Sequence, residues 1–134
     1  MSTSESKLKG KKVLVVEDEV RTARMLSLLL ERRGALVRVA DNQKRAIEEI
    51  KDQKYNVLIV DGEVPLKEGE RTQMGVPVFE PVVGAYRVSL NGTSKGLVVV
   101  HSGHIEYLEI AKRLNAYFFE KPCLNIVDKL EELL

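Results

Sequence analysis

Polar groups that can do chemistry stand at the ends of four short apolar runs in the sequence. They are the carboxylates of Glu17, Asp18 and Asp61, the hydroxyl of Ser102 and the ammonium group of Lys121. In an open parallel sheet the carboxyl ends of the strands lie along one edge, and such folds bind their ligands there. We therefore expect an acidic pocket that contains one ammonium group and one hydroxyl. This set of groups can hold a divalent cation and accept a phosphoryl group.

The chemistry of the pocket follows from its charges. A hard cation such as Mg²⁺ prefers oxygen ligands, with one or two carboxylates completed by waters and substrate oxygens. Crowded carboxylates repel each other, so a cation or Lys121 must balance them. Phosphoryl transfer needs an in-line nucleophile and neutralisation of the equatorial oxygens. Asp61 supplies the nucleophile, while the metal ion, Lys121 and Ser102 supply the neutralisation.

The apolar runs alternate with amphipathic segments of helical period. Consecutive apolar residues predict strands that are buried on both faces. An alternation of strands and helices predicts right-handed crossovers and a parallel sheet. The predicted strands are Val13–Val16, Ala35–Ala40, Val57–Val60, Leu97–His101 and Ala116–Phe119, with the second at an edge because Arg38 interrupts it. The predicted helices are Val20–Arg33, one capped by Asp41 or Asn42, Ile105–Leu114 and Leu124–Leu134.

The middle of the chain departs from this alternation. Gly75–Leu90 contains two prolines and two glycines, which disfavour a regular helix. Tyr86–Leu90 has the pattern of an extended segment, and Asn91-Gly92 is a strong hairpin signal. We therefore expect the third helix to be cut to a turn or two near Glu70–Met74, or lost. A hairpin or extended segment would replace it and present apolar side chains to a partner or to a second copy.

Length and composition limit the remaining possibilities. A chain of 134 residues supports one domain with a core, and its net charge of +1 does not favour nucleic acid or an anionic membrane as a partner. The single cysteine, Cys123, fits a reducing cytoplasm. No apolar run approaches the roughly 20 residues of a membrane span. We expect a mobile tail at Met1–Gly10 and one domain over residues 11–134.

Four stretches together resemble the receiver domain of two-component response regulators. The resemblance covers Lys11 to Leu134 except for Glu70–Gly96. It implies a flavodoxin-like, doubly wound α/β fold with five parallel strands in the order 2-1-3-4-5, and five helices, two on one face and three on the other. The stretches are VLVVEDE (Val13–Glu19), LIVDGEVPLKEG (Leu58–Gly69), VVVHSG (Val98–Gly103) and YFFEKP (Tyr117–Pro122).

The resemblance also implies a role for each residue of the pocket. Asp61 would receive the phosphoryl group from a histidine kinase or a phosphotransfer protein. Asp18 and Asp61 would bind Mg²⁺ directly, together with the backbone carbonyl of Glu63, and Glu17 would act through a water. Ser102 and Lys121 would contact the phosphoryl group, and a cis peptide bond would join Lys121 to Pro122. Glu17 replaces the commoner aspartate of the family.

The resemblance implies a conformational switch as well. The phosphoryl dianion would draw Ser102 towards itself, and Phe118, at the position of the switch aromatic, would turn inward. The surface formed by the fourth helix, the fifth strand and the fifth helix would change. Glu63 and His104 flank the path of the attacking water and should tune the lifetime of the acyl phosphate. His101 and His104 together make only a weak metal pair, so we interpret them as structural or rate-tuning.

The predicted function is therefore signal transduction in a cytoplasmic phosphorelay. The protein would be a phosphoprotein, and it would catalyse no reaction other than its own phosphorylation and dephosphorylation. We expect no output domain after Leu134, and we therefore expect partners to carry the signal: a kinase or phosphotransfer protein, an output protein or a second copy in a homodimer, without direct contact to nucleic acid or membrane. One alternative is a phosphorylation-independent pseudo-receiver that binds proteins. Another is a phosphatase, since Asp61-Gly62-Glu63-Val64 distantly resembles the paired-acid loop of haloacid dehalogenase-type phosphatases.

Overall fold

Five strands form one parallel sheet in the computed structural model, which describes residues 6–65, 79–91 and 96–134. The strand order is β2-β1-β3-β4-β5, and every neighbouring pair is parallel. This arrangement confirms the predicted flavodoxin-like α/β fold. The strands are β1 Lys12–Val16, β2 Leu36–Ala40, β3 Val57–Val60, β4 Leu97–Ser102 and β5 Tyr117–Glu120.

Helices cover both faces of the sheet. They are α1 Val20–Arg32, α2 Gln43–Asp52, α3 Glu80–Ser89, α4 Leu108–Arg113, which follows a 3₁₀ turn at Ile105–Tyr107, and α5 Ile126–Leu133. Buried residues of α1 and α5 form one core cluster against the sheet, and those of α2, α3 and α4 form the other. The two-and-three arrangement of the helices is thus as expected.

Each central strand contains a run of consecutive buried apolar residues, because each face of the sheet meets a different helical layer. In β1, Leu14 and Val16 belong to the core under α2, α3 and α4, whereas Val13 and Val15 belong to the core under α1 and α5. Since both faces exclude water, consecutive apolar residues are stable there. The carboxyl ends of these strands are therefore held in fixed positions relative to one another.

The segment before β4 differs from the sequence prediction. The prediction that Tyr86–Leu90 is extended is wrong, because α3 spans Glu80–Ser89 and buries Tyr86. Pro81 lies in the first turn of α3, where a helix needs no N–H donor. Asn91 follows the helix with a φ of 49°, in the left-handed region, and so ends the helix instead of starting a hairpin. The turn predicted near residues 70–74 lies outside the described residues.

The packed structure also begins before Lys11, the predicted start of the domain. Leu8 is fully buried in the core cluster under α1 and α5. The backbone N–H of Gly10 donates to the carbonyl of Gly34 at 2.9 Å. These contacts attach the amino-terminal segment to the turn between α1 and β2.

Candidate functional site

The carboxyl edge of the sheet brings the predicted acidic residues and the lysine together. Glu17 and Asp18 follow β1, Asp61 follows β3 and Lys121 follows β5. The Nζ of Lys121 lies 2.7 Å from Oε1 of Glu17 and 3.1 Å from Oδ2 of Asp61. A single ammonium group therefore bridges two carboxylates that are 44 positions apart in the sequence but adjacent across the β1–β3 pair.

Three carboxylates are close enough to share one cation. Glu17, Asp18 and Asp61 each offer an oxygen within 4.8 Å of the others, and they range from buried through half-buried to exposed in the order Glu17, Asp61, Asp18. Hard oxygen donors at this spacing, with one side open to solvent, suit a magnesium ion that keeps several of its waters. The residues present therefore fit the predicted cofactor.

The electrostatics of the cluster show an excess of negative charge. Burial and the charge of Asp61 raise the pKa of Glu17 to about 7, and Lys121 offsets only part of this effect. Burial also raises the pKa of Asp18, with a further contribution from Asp61. Burial lowers the pKa of Lys121, but the hydrogen bond that its ammonium group donates to Glu17 and the charge of Asp61 outweigh this effect, so the net shift in the pKa is upward. The site thus has more negative charge than one ammonium group neutralises.

Backbone groups fix the orientation of two carboxylates. The N–H of Glu19 donates to Oε2 of Glu17 at 3.1 Å, and the N–H of Glu63 donates to Oδ1 of Asp61 at 3.2 Å. The side chain of Glu19, and not that of Glu17, caps α1 by accepting from the N–H of Thr22 at 3.0 Å. Glu17 therefore does not cap α1.

Ser102 and Phe118 occupy the expected neighbouring strands. Ser102 is fully buried at the end of β4, and its Oγ accepts from the N–H of His104 at 3.1 Å. Phe118 is half-buried, pairs with Val100 across the β4–β5 ladder and packs against the core under α2, α3 and α4. The Lys121–Pro122 peptide bond is cis. The switching roles of Ser102 and Phe118 stay predictions.

A second polar cluster lies beside Asp61 and links the loops after β3 and β4. Oε1 of Glu63 lies 2.7 Å from Nε2 of His104, and the hydroxyl of Tyr107 donates to Oε2 of Glu63 at 3.2 Å. The Nδ1 of His104 lies 3.2 Å from Oε1 of Glu106. Sequence analysis placed Glu63 and His104 near the site but did not identify their direct contact or the part played by Tyr107.

The ring of Tyr107 lies against the backbone next to Asp61. A Cβ at Gly62 would be 2.4 Å from Cδ2 of Tyr107 and 2.9 Å from Oγ of Ser102. Such distances are far inside van der Waals contact, so only a glycine fits between the two side chains. The Asp-Gly pair at the end of β3 was the sequence signal that could have indicated a bulky neighbour at this point.

His101 has a different environment from His104. It is buried in β4, and neither ring nitrogen has a hydrogen-bond partner among the described residues. Burial, with a smaller effect from Lys121, lowers the pKa of His101 to about 4 although Asp61 opposes the shift. His101 is therefore neutral at physiological pH, and His104 is engaged by carboxylates, so the two do not act as a metal pair.

Comparison with known proteins identifies the class of the chain. The family model of the response regulator receiver domain matches residues 13–115. The chain therefore belongs to the response regulator receiver domain family. The search of curated proteins found no match.

Solved structures share the fold at low sequence identity. CheY4 of Vibrio cholerae, a chemotaxis response regulator, is 22% identical with a TM-score of 0.74 over 94% of this chain and 100% of that chain. The response regulator TrrA from Thermotoga maritima, solved with Mg(2+)-BeF, is 19% identical with a TM-score of 0.69 over 92% of this chain and 99% of that chain. A response regulator from Burkholderia pseudomallei with a phosphorylated aspartic acid is 23% identical with a TM-score of 0.67, over 90% of this chain and 64% of that chain.

A search of the described helices for one with the length and apolar character of a membrane span gave none.

Proposed function

We propose that this receiver domain is a phosphorylation switch that accepts a phosphoryl group on Asp61 with the help of Mg²⁺. The observation that carries the proposal is the position of the Lys121 ammonium group, which contacts both Glu17 and Asp61 while Asp18 lies within the same acidic cluster. These groups are the nucleophile, the cation ligands and the counter-charge that phosphoryl transfer requires. The phosphorylated aspartic acid of the Burkholderia protein and the Mg(2+)-BeF complex of TrrA support the same chemistry for the family fold.

The transfer step uses an oxygen of Asp61 as the nucleophile. It forms a bond to phosphorus while the bond from phosphorus to the donor breaks, and the electron pair of that bond leaves with the donor. The leaving group is the imidazole when the donor is the phosphohistidine of a histidine kinase or phosphotransfer protein, and acetate when the donor is acetyl phosphate. Lys121, whose Nζ lies 3.1 Å from Oδ2 of Asp61, would neutralise the negative charge both on the carboxylate before transfer and on the phosphoryl oxygens after it. A bound Mg²⁺ supplies neutralisation of the phosphoryl oxygens, and Asp18, Asp61 and Glu17 are the side chains that would hold it.

The signal would leave through the face formed by α4, β5 and α5, as the resemblance implies. Ser102 and Phe118 lie on the two strands that connect the phosphoacceptor with that face. An output protein or a second copy would read the change there. A cytoplasmic location is part of this proposal, since the phosphodonor is a cytoplasmic signalling protein in such systems.

Incubation with acetyl phosphate and Mg²⁺ tests the proposal. Intact-mass measurement should show a gain of one phosphoryl group, which disappears in Asp61→Asn and in samples treated with a chelator. Asp52→Asn is the matched control, because Asp52 is an exposed carboxylate at the end of α2. No gain in the wild-type chain would contradict the proposal.

A phosphorylation-independent protein-binding module is the second candidate. The observation that favours it is the atypical segment before β4, where α3 leaves Val88 exposed. If the chain is such a module, the wild type and Asp61→Asn should bind the partner with equal affinity.

We also propose that the chain does not turn over phosphate esters. Repeated turnover of a phosphate ester would instead support the phosphatase alternative.

A further inference from the structure

Tyr107 connects the two loops that flank Asp61. Its hydroxyl donates to Oε2 of Glu63 at 3.2 Å, and Oε1 of the same carboxylate lies 2.7 Å from Nε2 of His104. Glu63 in turn donates its backbone N–H to Asp61. A side chain from the 3₁₀ turn after β4 therefore hydrogen-bonds to the residue whose backbone donates to the phosphoacceptor.

Packing holds the Tyr107 ring in place independently of its hydrogen bond. The residue is 1% exposed and belongs to the core under α2, α3 and α4. Its ring meets Phe79 edge-on with the ring centroids 5.7 Å apart, and lies over Gly62. Because packing fixes the ring, it also fixes the position of the hydroxyl, and the hydrogen bond then orients the carboxylate of Glu63. Burial and Glu63 also raise the pKa of Tyr107 to about 12, so the hydroxyl remains a donor at neutral pH.

Both carboxylate oxygens of Glu63 are engaged in this arrangement. Oε1 lies against Nε2 of His104, and Oε2 accepts from the hydroxyl of Tyr107. The pair of Glu63 and His104 links the loop after β3 to the loop after β4 beside the phosphoacceptor. Hydrolysis of an acyl phosphate needs a water to approach phosphorus there. We expect the linked side chains to obstruct part of that approach.

We propose that Tyr107 is a positioning residue that keeps Glu63 and His104 closed against each other beside Asp61, and so prolongs the phosphorylated state. This inference rests on the proposed function of Asp61. In the hydrolysis that it slows, the oxygen of a water forms a bond to phosphorus. The bond from phosphorus to the Asp61 oxygen breaks, its electron pair returns to the carboxylate, and the water proton passes to solvent. Inorganic phosphate leaves.

The lifetime of the phosphorylated chain in Tyr107→Phe tests the proposal. Phenylalanine keeps the ring over Gly62 but removes the hydroxyl. After labelling with acetyl phosphate and removal of the donor, the phosphoryl group should be lost roughly three- to tenfold faster than from the wild type, the factor expected when one hydrogen bond no longer maintains the closed pair. Tyr117→Phe is the matched control, because Tyr117 is exposed on β5 and should leave the rate unchanged.

A second substitution separates positioning from general loss of packing. His104→Ala opens the pair directly and should also shorten the lifetime. In that background Tyr107→Phe should add little, because the hydroxyl then has no closed pair to maintain. Thermal unfolding of each variant shows whether it is folded. If Tyr107→Phe is not folded, the lifetime in His104→Ala provides the test.

The possible outcomes are distinguishable. A Tyr107→Phe lifetime equal to or longer than that of the wild type would overturn the inference while leaving Asp61 as the phosphoacceptor. A full additional effect of Tyr107→Phe in the His104→Ala background would overturn it as well, since the hydroxyl would then act by another route. A wild-type chain that takes up no phosphoryl group would overturn the proposed function, and this inference with it.

Discussion

Lys121 lies closer to Glu17 than to Asp61, with Nζ–O distances of 2.7 Å and 3.1 Å. The ammonium group therefore makes its shorter contact with Glu17, which is the more deeply buried of the two carboxylates. Glu17 is 2% exposed, so loss of the lysine would leave its carboxylate buried without a counter-charge. A phosphoryl group or a cation at Asp61 would compete for these same charges, so the Lys121–Glu17 contact links the stability of the fold to the state of the site.

Removal of the Lys121 charge should destabilise the protein. In Lys121→Met the Glu17 carboxylate keeps its burial but loses its counter-charge, and we expect the free energy of unfolding to fall by about 2 kcal/mol, less than for a fully buried pair because Lys121 is partly exposed. Urea denaturation without added metal measures the change. Lys112→Met is the control, since its pair with Glu109 is exposed. The double variant Glu17→Gln/Lys121→Met should recover most of the loss, and no recovery would contradict this explanation.

Glu17 should make the metal-free protein less stable as the pH rises. Its pKa in the folded state is about 7, against 4.5 for the unconstrained group, so between these values the folded state binds more protons than the unfolded state. Stability from this group is present below pH 4.5 and is lost as the pH rises towards 7. Glu17→Gln removes the titration, so its stability relative to the wild type should increase over this range. Equal pH profiles in urea denaturation would disprove the assignment.

Magnesium should reverse the effect of the excess negative charge. A cation that binds the folded state and not the unfolded state stabilises the fold by RT ln(1 + [Mg²⁺]/Kd), so the stability rises with the Mg²⁺ concentration. Because the ligands must be deprotonated, the increase in melting temperature with Mg²⁺ should be larger at pH 8 than at pH 6. Asp18→Asn should abolish most of the increase, whereas Asp52→Asn should not change it. A Mg²⁺ effect that persists in Asp18→Asn would place the cation elsewhere.

His101 should cost stability because it buries two ring nitrogens in β4 that have no hydrogen-bond partner within residues 6–65, 79–91 and 96–134. In His101→Leu, which has a similar volume, the free energy of unfolding should rise by about 1 kcal/mol at pH 7. The pKa of His101 falls from 6.5 to about 4 on folding, so the unfolded state binds more protons in this interval. Stability therefore falls as the pH falls from 6.5 to 4, and the leucine variant should lack this contribution. A leucine variant that is less stable than the wild type both at pH 7 and at pH 4 would show that the imidazole has a hydrogen-bond partner.

The positions of the site residues could be predicted because they depend on local sequence. Apolar runs such as Val57–Val60 identify a strand buried on both faces, and parallel topology then places Asp61 at the same edge as Glu17 and Lys121. α3 could not be predicted in this way. The isolated pattern of Tyr86–Leu90 is compatible with an extended chain. Burial of Tyr86 in the core under α2, α3 and α4, where its hydroxyl donates to the carbonyl of Tyr55 at 2.6 Å, decides in favour of the helix.

Tyr107 was missed for a related reason. Its side chain acts through Glu63, which is 44 positions away in the sequence, and no spacing rule connects the two. The contact depends on the short 3₁₀ turn after β4, which turns the ring towards Gly62. Glu63 and His104 could be identified from the sequence because each lies two positions after a site residue. Tyr107, the third member of their cluster, could be identified only from the folded structure.

Gly62 should be the position beside Asp61 that is least tolerant of a methyl group. In Gly62→Ala the new Cβ would lie 2.4 Å from Cδ2 of Tyr107 and would force the ring away from the site. We expect a loss of about 1–3 kcal/mol in the free energy of unfolding, the usual cost of overpacking a core. The phosphorylated state should also be shorter-lived, because the displaced hydroxyl no longer orients Glu63. Gly103→Ala is the matched control, since a Cβ at Gly103 meets no atom within 4 Å in the described part of the chain. If both alanine variants unfold at the same urea concentration as the wild type, the Tyr107 ring does not occupy the place assigned to it here.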